Sequence, residues 1–228
     1  MFEPIQGEAG AIVPPDDFWP RVREITKAYG VLLIVDEVQT GLGRTGKMWG
    51  LDHWNVVPDI LAVAKSLGGG VMPVSAFCST EEIWQVMMHP NPFVHTTTTG
   101  GSALACAAAI ASLKVILRDK LWEQAAEKGN YLIPKLQKLA TQYPQIYEKI
   151  TGKGLLIGMH FQNPEIGYKI AAGLFKRSVL VAGTLISSQT LRVEPPLIVT
   201  NEQLDNLLER LEDTLKEIGK TLKKPLSN

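Results

Sequence analysis

Three short apolar runs stand out in the first third of the chain: VLLIV at 31–35, DILAVA at 59–64 and VMPVSAFC at 71–78. Each is bounded by polar or turn-forming residues. Continuous runs of this length, rich in branched side chains, predict strands buried on both faces of a parallel sheet. Ahead of the first run, residues 16–29 place Phe18, Val22, Ile25 and Tyr29 at helical spacing, with Asp16 or Asp17 as the N-cap and Gly30 as the stop. A helix followed by a buried strand, then further buried strands, predicts an α/β fold.

The pattern then changes. Residues 101–128 (GSALACAAAIASLKVILRDKLWEQAAEK) are Ala-rich with helical periodicity and predict one long helix. Small residues at its start permit close packing. Past Gly129 come short apolar segments, LLIGMHF, VLVAG and TLRVEPPL, with a helical stretch EIGYKIAAGLFKRS among them. In the tail, Thr200 and Gln203 fit a capping box. Leu204, Leu207, Leu208, Leu211, Leu215 and Ile218 form one stripe, the signature of a helix packed on a small sheet. A domain boundary is expected near residue 125, dividing 1–125 from 126–228.

Composition removes several function classes. The 23 basic and 23 acidic side chains balance, so no electrostatic case exists for nucleic acid or an anionic membrane as partner. No apolar run approaches the roughly 18 residues of a membrane span. The N-terminal MFEPIQGEAGAIVPP has no basic region and no apolar core of signal-peptide length, so a cytoplasmic protein is expected. Cys78 and Cys106 show no metal-binding spacing and are expected to be buried free thiols in a reducing compartment.

Two charged residues end apolar runs. Asp36 follows VLLIV, which puts it at the carboxyl end of a parallel strand, where α/β sheets place their ligand sites. Lys65 follows DILAVA and precedes Gly68, Gly69 and Gly70. A charge beside apolar surface is costly unless something neutralises it. Pyridoxal phosphate answers both needs, taking a lysine as a Schiff base and an aspartate on its ring nitrogen. Read singly, Asp36 is equally compatible with a structural cap, and Lys65 reads more readily as a surface lysine; the case rests on the two together. The segment HTTTTGG at 95–101 gathers hydroxyls and backbone N–H groups at a predicted helix start, a setting for a phosphate or for simple Thr capping. Arg192 sits in an apolar strand, where it pairs with an internal carboxylate or grips a substrate carboxylate.

Taken together, EPIQGEAG, IVDEVQTGLGRTG, PDILAVAKSLGGGVMPVSA, HTTTTGGSALACAAA and LRVEPPL resemble the class III aminotransferases over nearly the whole chain. GGGVMP, HTTT and VLVAGTL are most similar to the putrescine (diamine) branch, with ornithine and acetylornithine aminotransferases nearby. The resemblance implies a pyridoxal-phosphate enzyme of aspartate-aminotransferase fold (fold type I), with a partial large cofactor-binding domain and a small C-terminal α+β domain. It implies Lys65 as the Schiff-base lysine and proton carrier, and Asp36 as the partner of the ring nitrogen. It further implies Gln39 on the ring hydroxyl and Thr98 on the phosphate of a neighbouring subunit. Arg192 is implied to bind the α-carboxylate, with Glu8 pairing Arg192 when no carboxylate is present. The chain departs from the family at Thr99, usually aromatic, and at Ser102-Ala103, usually Asn-Pro.

The implied reaction moves an amino group from an amine or ω-amino donor to a 2-oxo acid such as 2-oxoglutarate, in a homodimer or larger assembly. The chain also resembles only the C-terminal portion of such enzymes. The isolated chain is therefore expected not to transaminate alone. Two other readings stay open: a non-catalytic fragment packed against a partner chain, and an aminomutase, racemase or decarboxylase on the same scaffold.

Overall fold

The computed structural model describes residues 1–222 and divides them into two compact units. The first comprises 1–4, 14–43 and 47–121; the second comprises 5–13, 44–46 and 122 onward.

In the first unit, helix α1 (Phe18–Ala28) precedes a three-stranded sheet of β1 (Ile34–Asp36), β2 (Ile60–Val63) and β3 (Ala76–Ser79) in that order. Strands β1 and β2 are parallel, with Asp36 opposite Ala62. Helices α2 (Glu81–Met88) and α3 (Ala103–Arg118) follow. Several expectations are corrected here. The 31–35 strand begins only at Ile34, and Val31 and Leu32 are exposed. The third run forms a strand only from Ala76, runs antiparallel to β2, and leaves Ala76 and Cys78 exposed; Pro73 lacks the N–H a ladder needs. Cys78 is therefore an exposed thiol and Cys106 a half-buried one. On α1 the buried anchor is Trp19, whose Nε1 donates to the Pro4 carbonyl at 3.1 Å, while Phe18, Ile25 and Tyr29 stay exposed. Asp17 is the N-cap residue, but its carboxylate bonds no helix N–H and pairs with Arg21 instead.

Asp59 ties this unit together. Its carboxylate receives both Arg23 guanidinium nitrogens at 2.6 and 2.8 Å and the Leu33 N–H at 2.7 Å. These bonds join α1 to the entries of β1 and β2. The Arg23 bonds, chiefly, hold the Asp59 carboxyl below its usual range. A lowered folded-state pKa stabilises the fold above the ordinary aspartate range, and that stability is lost as pH falls through the lowered value. Asp59→Asn should therefore cost about 1.5–3 kcal/mol at neutral pH and nearly nothing in strong acid. Denaturant midpoints of both proteins measured across pH 2–7 check this; a pH-independent difference removes the ion pair as cause.

The second unit is built on an antiparallel sheet in the order β4-β5-β7-β6: Tyr147–Lys153, Leu156–Phe161, Thr190–Val193 and Ala182–Gly183. Helices α4 (Leu121–Gln142), α5 (Pro164–Lys176) and α6 (Asn201–Leu222) supply the remainder of its core. Ile157, Met159 and Phe161 of β5 pack with Leu191 and Val193 of β7, and with Leu136, Leu174 and Leu211 of the helices. The capping box at α6 is present in both directions: Thr200 N donates to Gln203 Oε1 at 3.0 Å and Gln203 N to Thr200 Oγ1 at 3.2 Å. Leu204, Leu211, Leu215 and Ile218 of its stripe are buried, with Leu207 and Leu208 half-buried.

The expected single helix over 101–128 is instead α3 and α4. They break at Asp119 and Lys120, where Lys120 takes φ +46°. Strand β4, with the charged sequence YEKITGK, carries no apolar alternation that would have announced it. Among the described residues no helix is long and apolar enough to cross a membrane.

Candidate active site

The two charged residues that end the apolar runs lie at the same edge of one sheet. Asp36 closes β1, and its register partner Ala62 precedes Lys65 by three residues on the parallel neighbour β2. Parallel neighbours are about 4.8 Å apart, so the chain brings both residues to the carboxyl end of the sheet. Asp36 is half-buried. Its Oδ1 accepts the Val38 N–H at 2.9 Å, and among the described residues no cation pairs with the carboxylate. Lys65 is exposed and likewise has no carboxylate partner among them.

Lys65 also carries backbone strain. Its φ is +47°, in the left-handed region that a side chain rarely adopts, at a cost of about 1–2 kcal/mol. The strain begins a 3₁₀ turn, Lys65–Gly68, which is docked on α3 by the Ser112 hydroxyl donating to the Ser66 carbonyl at 3.0 Å. The next residue, Gly69, has φ +64°, and a Cβ there would lie 3.2 Å from Ser112 Cβ. The small residues of α3 and the glycines thus serve one close approach that fixes where Lys65 emerges.

A cavity of about 1120 Å³ opens beside Lys65. Val38, Ala64, Phe77, Thr97 and Thr99 are among its walls. Thr98 is exposed in the loop before α3, and its neighbours rather than Thr98 itself line the cavity among the described residues. Gln39 is half-buried in the turn after β1.

Glu37 was not singled out in the sequence, yet it organises that turn. Its carboxylate is fully buried and receives the Thr40 hydroxyl at 2.5 Å, the Gly50 N–H at 2.8 Å and the Leu51 N–H at 2.9 Å. Burial pushes its pKa up, and the three donors partly oppose that. The only hint in the sequence was its place between Asp36 and a glycine-rich loop.

The second unit holds the other pair. Arg192 is buried in β7, its Nη1 2.7 Å from Glu8 Oε1 and 3.7 Å from Glu194 Oε1. Nε and Nη2 donate to the Gly183 carbonyl at 3.3 and 2.9 Å. The Glu8 contact is an ion pair without hydrogen-bond alignment: Nη1 is buried and has no partner at a suitable angle. Glu8 Oε2 accepts the Leu185 N–H at 3.0 Å. The structure thus brings Glu8 and Arg192 together, and it brings Asp36 and Lys65 to one sheet edge.

A family model for the class III aminotransferases matches residues 1–215. The chain belongs to the class III aminotransferases. It is 51% identical over 222 residues to a putrescine aminotransferase of Pectobacterium atrosepticum, covering 97% of this chain and 47% of that protein. Among solved structures, an ornithine aminotransferase from Plasmodium yoelii aligns with TM-score 0.88 at 38% identity, over 94% of this chain and 56% of that one. An acetylornithine aminotransferase from Elizabethkingia anophelis aligns with TM-score 0.88 at 38% identity, over 94% and 53%. The chain spans about half the length of these relatives.

Enzymes of this family depend on pyridoxal phosphate. The residues present suit that group. Among the described residues, Asp36 offers an oxygen without a partner and Lys65 an amine without a carboxylate partner, the needs of a protonated ring nitrogen and an aldehyde; Lys65 lines the cavity, while Asp36 stands at the neighbouring strand end outside its lining.

Proposed function

We propose that this chain carries the lysine, aspartate and arginine of a class III transaminase that moves an amino group from a diamine-like donor to 2-oxoglutarate. The observation carrying the reading is the pair of charges, Asp36 and Lys65, at adjacent parallel strand ends, neither with an opposite charge among the described residues and one on a strained backbone. The donor class rests on the 51% identity to a putrescine aminotransferase.

When bound, pyridoxal phosphate supplies an electron-withdrawing ring that stabilises negative charge at the carbon bearing the amino group. Lys65 Nζ would hold the group covalently and, when free, would carry the proton that leaves that carbon. Asp36 holds the proton on the ring nitrogen by its negative charge. Gln39 is the proposed donor to the ring hydroxyl, and Thr98 the proposed contact to a phosphate in a neighbouring subunit. The amine leaves as a carbonyl compound and the oxo acid leaves as an amino acid. The proposal includes a homodimer or higher oligomer in the cytoplasm, on the resemblance at Thr98 and the free Cys78 and Cys106 thiols.

Arg192 and Glu8 would let the enzyme accept two kinds of substrate. With a diamine, Glu8 neutralises Arg192; with 2-oxoglutarate, the substrate carboxylate replaces Glu8. A substrate carboxylate would meet a planar guanidinium with several fixed donors, which a lysine lacks. Arg192→Lys should therefore weaken 2-oxoglutarate about 10-fold or more and leave amine-donor kinetics nearly unchanged. Steady-state formation of glutamate by a full-length enzyme that contains this chain, with each substrate varied in turn, tests both the reaction and the role. Absence of putrescine-dependent glutamate formation counts against the reaction; equal weakening towards both substrates makes Arg192 structural.

A further inference from the structure

One face of the second unit's sheet is apolar and fills the core. The other face is polar, and its residues form two adjacent cross-strand rows. Thr151, Gly158 and Arg192 stand opposite one another in the first; Lys149, His160 and Thr190 do so in the second. Lying across these rows is the segment that carries Glu8. It is a tight loop closed by reciprocal Gln6–Ile12 backbone bonds at 3.0 Å, with Gly10 at φ +102° and Ala11 at φ +55°.

The loop is clamped at Gly10. Its carbonyl receives the Thr151 hydroxyl at 2.7 Å and His160 Nε2 at 3.0 Å. His160 Nε2 also lies 2.8 Å from Thr151 Oγ1; with the Thr151 hydroxyl donating to Gly10, a proton on Nε2 shared between the Gly10 carbonyl and Thr151 Oγ1 satisfies these atoms together, and Nδ1 is then free to accept from the Thr190 hydroxyl at 3.1 Å. Burial, the main influence, lowers the His160 pKa, and the Gly10 bond opposes it. The fit leaves no slack. A Cβ on Gly10 would lie 2.7 Å from both His160 Cε1 and Thr190 Cγ2, and a Cβ on Gly158 would collide with the Gly10 carbonyl. Gly10 is two residues from Glu8, and Thr190 is two residues from Arg192 on the same face of β7. The clamp therefore joins the backbones that bear the two members of the ion pair.

We propose that His160 is a positioning residue that sets how tightly Glu8 holds Arg192, and so how readily a substrate carboxylate displaces Glu8. The inference rests on the reading of Arg192 as the carboxylate site. The present pair is close yet poorly aligned, with Arg192 Nη1 lacking a hydrogen bond. Such a pair holds because the loop is pinned, and releasing the loop favours the competing carboxylate. His160 touches neither substrate carboxylate nor cofactor in this scheme; it acts through Gly10.

Two isosteric changes separate this from a loss of packing. His160→Gln places an amide donor near the Nε2 position and keeps the Gly10 bond. His160→Asn reaches only the Nδ1 position and loses it. Glutarate, a dicarboxylate that cannot react, is titrated into each protein by calorimetry, and amide exchange is followed at Gly10 and Ala11. His160→Asn should bind glutarate about 2- to 10-fold more tightly than the parent and exchange faster at both amides. His160→Gln should stay near the parent. In a Glu8→Gln background, His160→Asn should add nothing. Thr151→Val removes the second donor to Gly10 with little change of shape and should shift affinity in the same direction. Glutarate binding that vanishes in Arg192→Ala but ignores the His160 and Thr151 changes overturns the inference and leaves the Arg192 reading intact. A shift of equal size in the Glu8→Gln background also overturns it. Glutarate binding that is absent from the parent, or unaffected by Arg192→Ala, overturns both.

Discussion

Lys65→Ala should remove every covalent attachment of pyridoxal phosphate to this chain while shifting its stability by less than about 0.5 kcal/mol. The Lys65 side chain is exposed and packs against no core, so the fold loses nothing with its ammonium. Alanine keeps a Cβ, so the strain at φ +47° is unchanged as well. Lys65→Gly separates the two effects. It also abolishes attachment, but it relieves the left-handed strain and should raise stability by about 0.5–1 kcal/mol. Loss of function with gain of stability marks a backbone held for chemistry rather than for folding. The measurement is borohydride reduction of the chain incubated with the cofactor, followed by peptide mapping. The label should fall on the peptide containing Lys65. A label on Lys27 or Lys47 instead defeats the assignment, and an unchanged label in Lys65→Ala defeats it equally.

The placement of Asp36 and Lys65 at neighbouring strand ends was legible in the sequence because each ends an apolar run, and a strand end leaves a charge little choice of location. The fold class was legible for the same reason, and so was α6, whose cap and stripe are local features. What escaped was decided by contacts between distant segments. Nothing in LRDKL signals the break between α3 and α4, since no glycine or proline marks it and the left-handed residue is Lys120. The strand at 31–35 is shortened because the carboxylate of Asp59 takes the Leu33 N–H. Glu37 and His160 look ordinary in sequence. They matter because Gly50, Leu51 and Gly10 arrive from elsewhere in the chain to meet them. The Glu8–Arg192 pair came from the family resemblance rather than from spacing, and the structure supplies its physical form, a close ion pair across a pinned loop.

Asp36→Asn is expected to produce the second largest loss, through charge and not through shape. The side chain is held by its Oδ1, which accepts the Val38 N–H at 2.9 Å, and its backbone N–H donates to the Phe2 carbonyl at 2.9 Å. An asparagine keeps both bonds and nearly the same volume, so the turn after β1 should be undisturbed. Its other terminal atom becomes an N–H donor in place of a negative oxygen. A protonated ring nitrogen facing that donor loses a charge-assisted hydrogen bond, worth about 1.5–3 kcal/mol, and gains a repulsive contact. That corresponds to a loss of about 10- to 100-fold, felt where the ring must remain protonated to draw charge from the substrate. In a full-length enzyme that contains this chain, cofactor affinity from an absorbance titration and turnover with putrescine should both fall, with turnover falling more, while the denaturant midpoint holds. A parallel fall in the midpoint makes Asp36 a structural cap on the β1 turn. Unchanged turnover at an unchanged midpoint removes it from the site altogether.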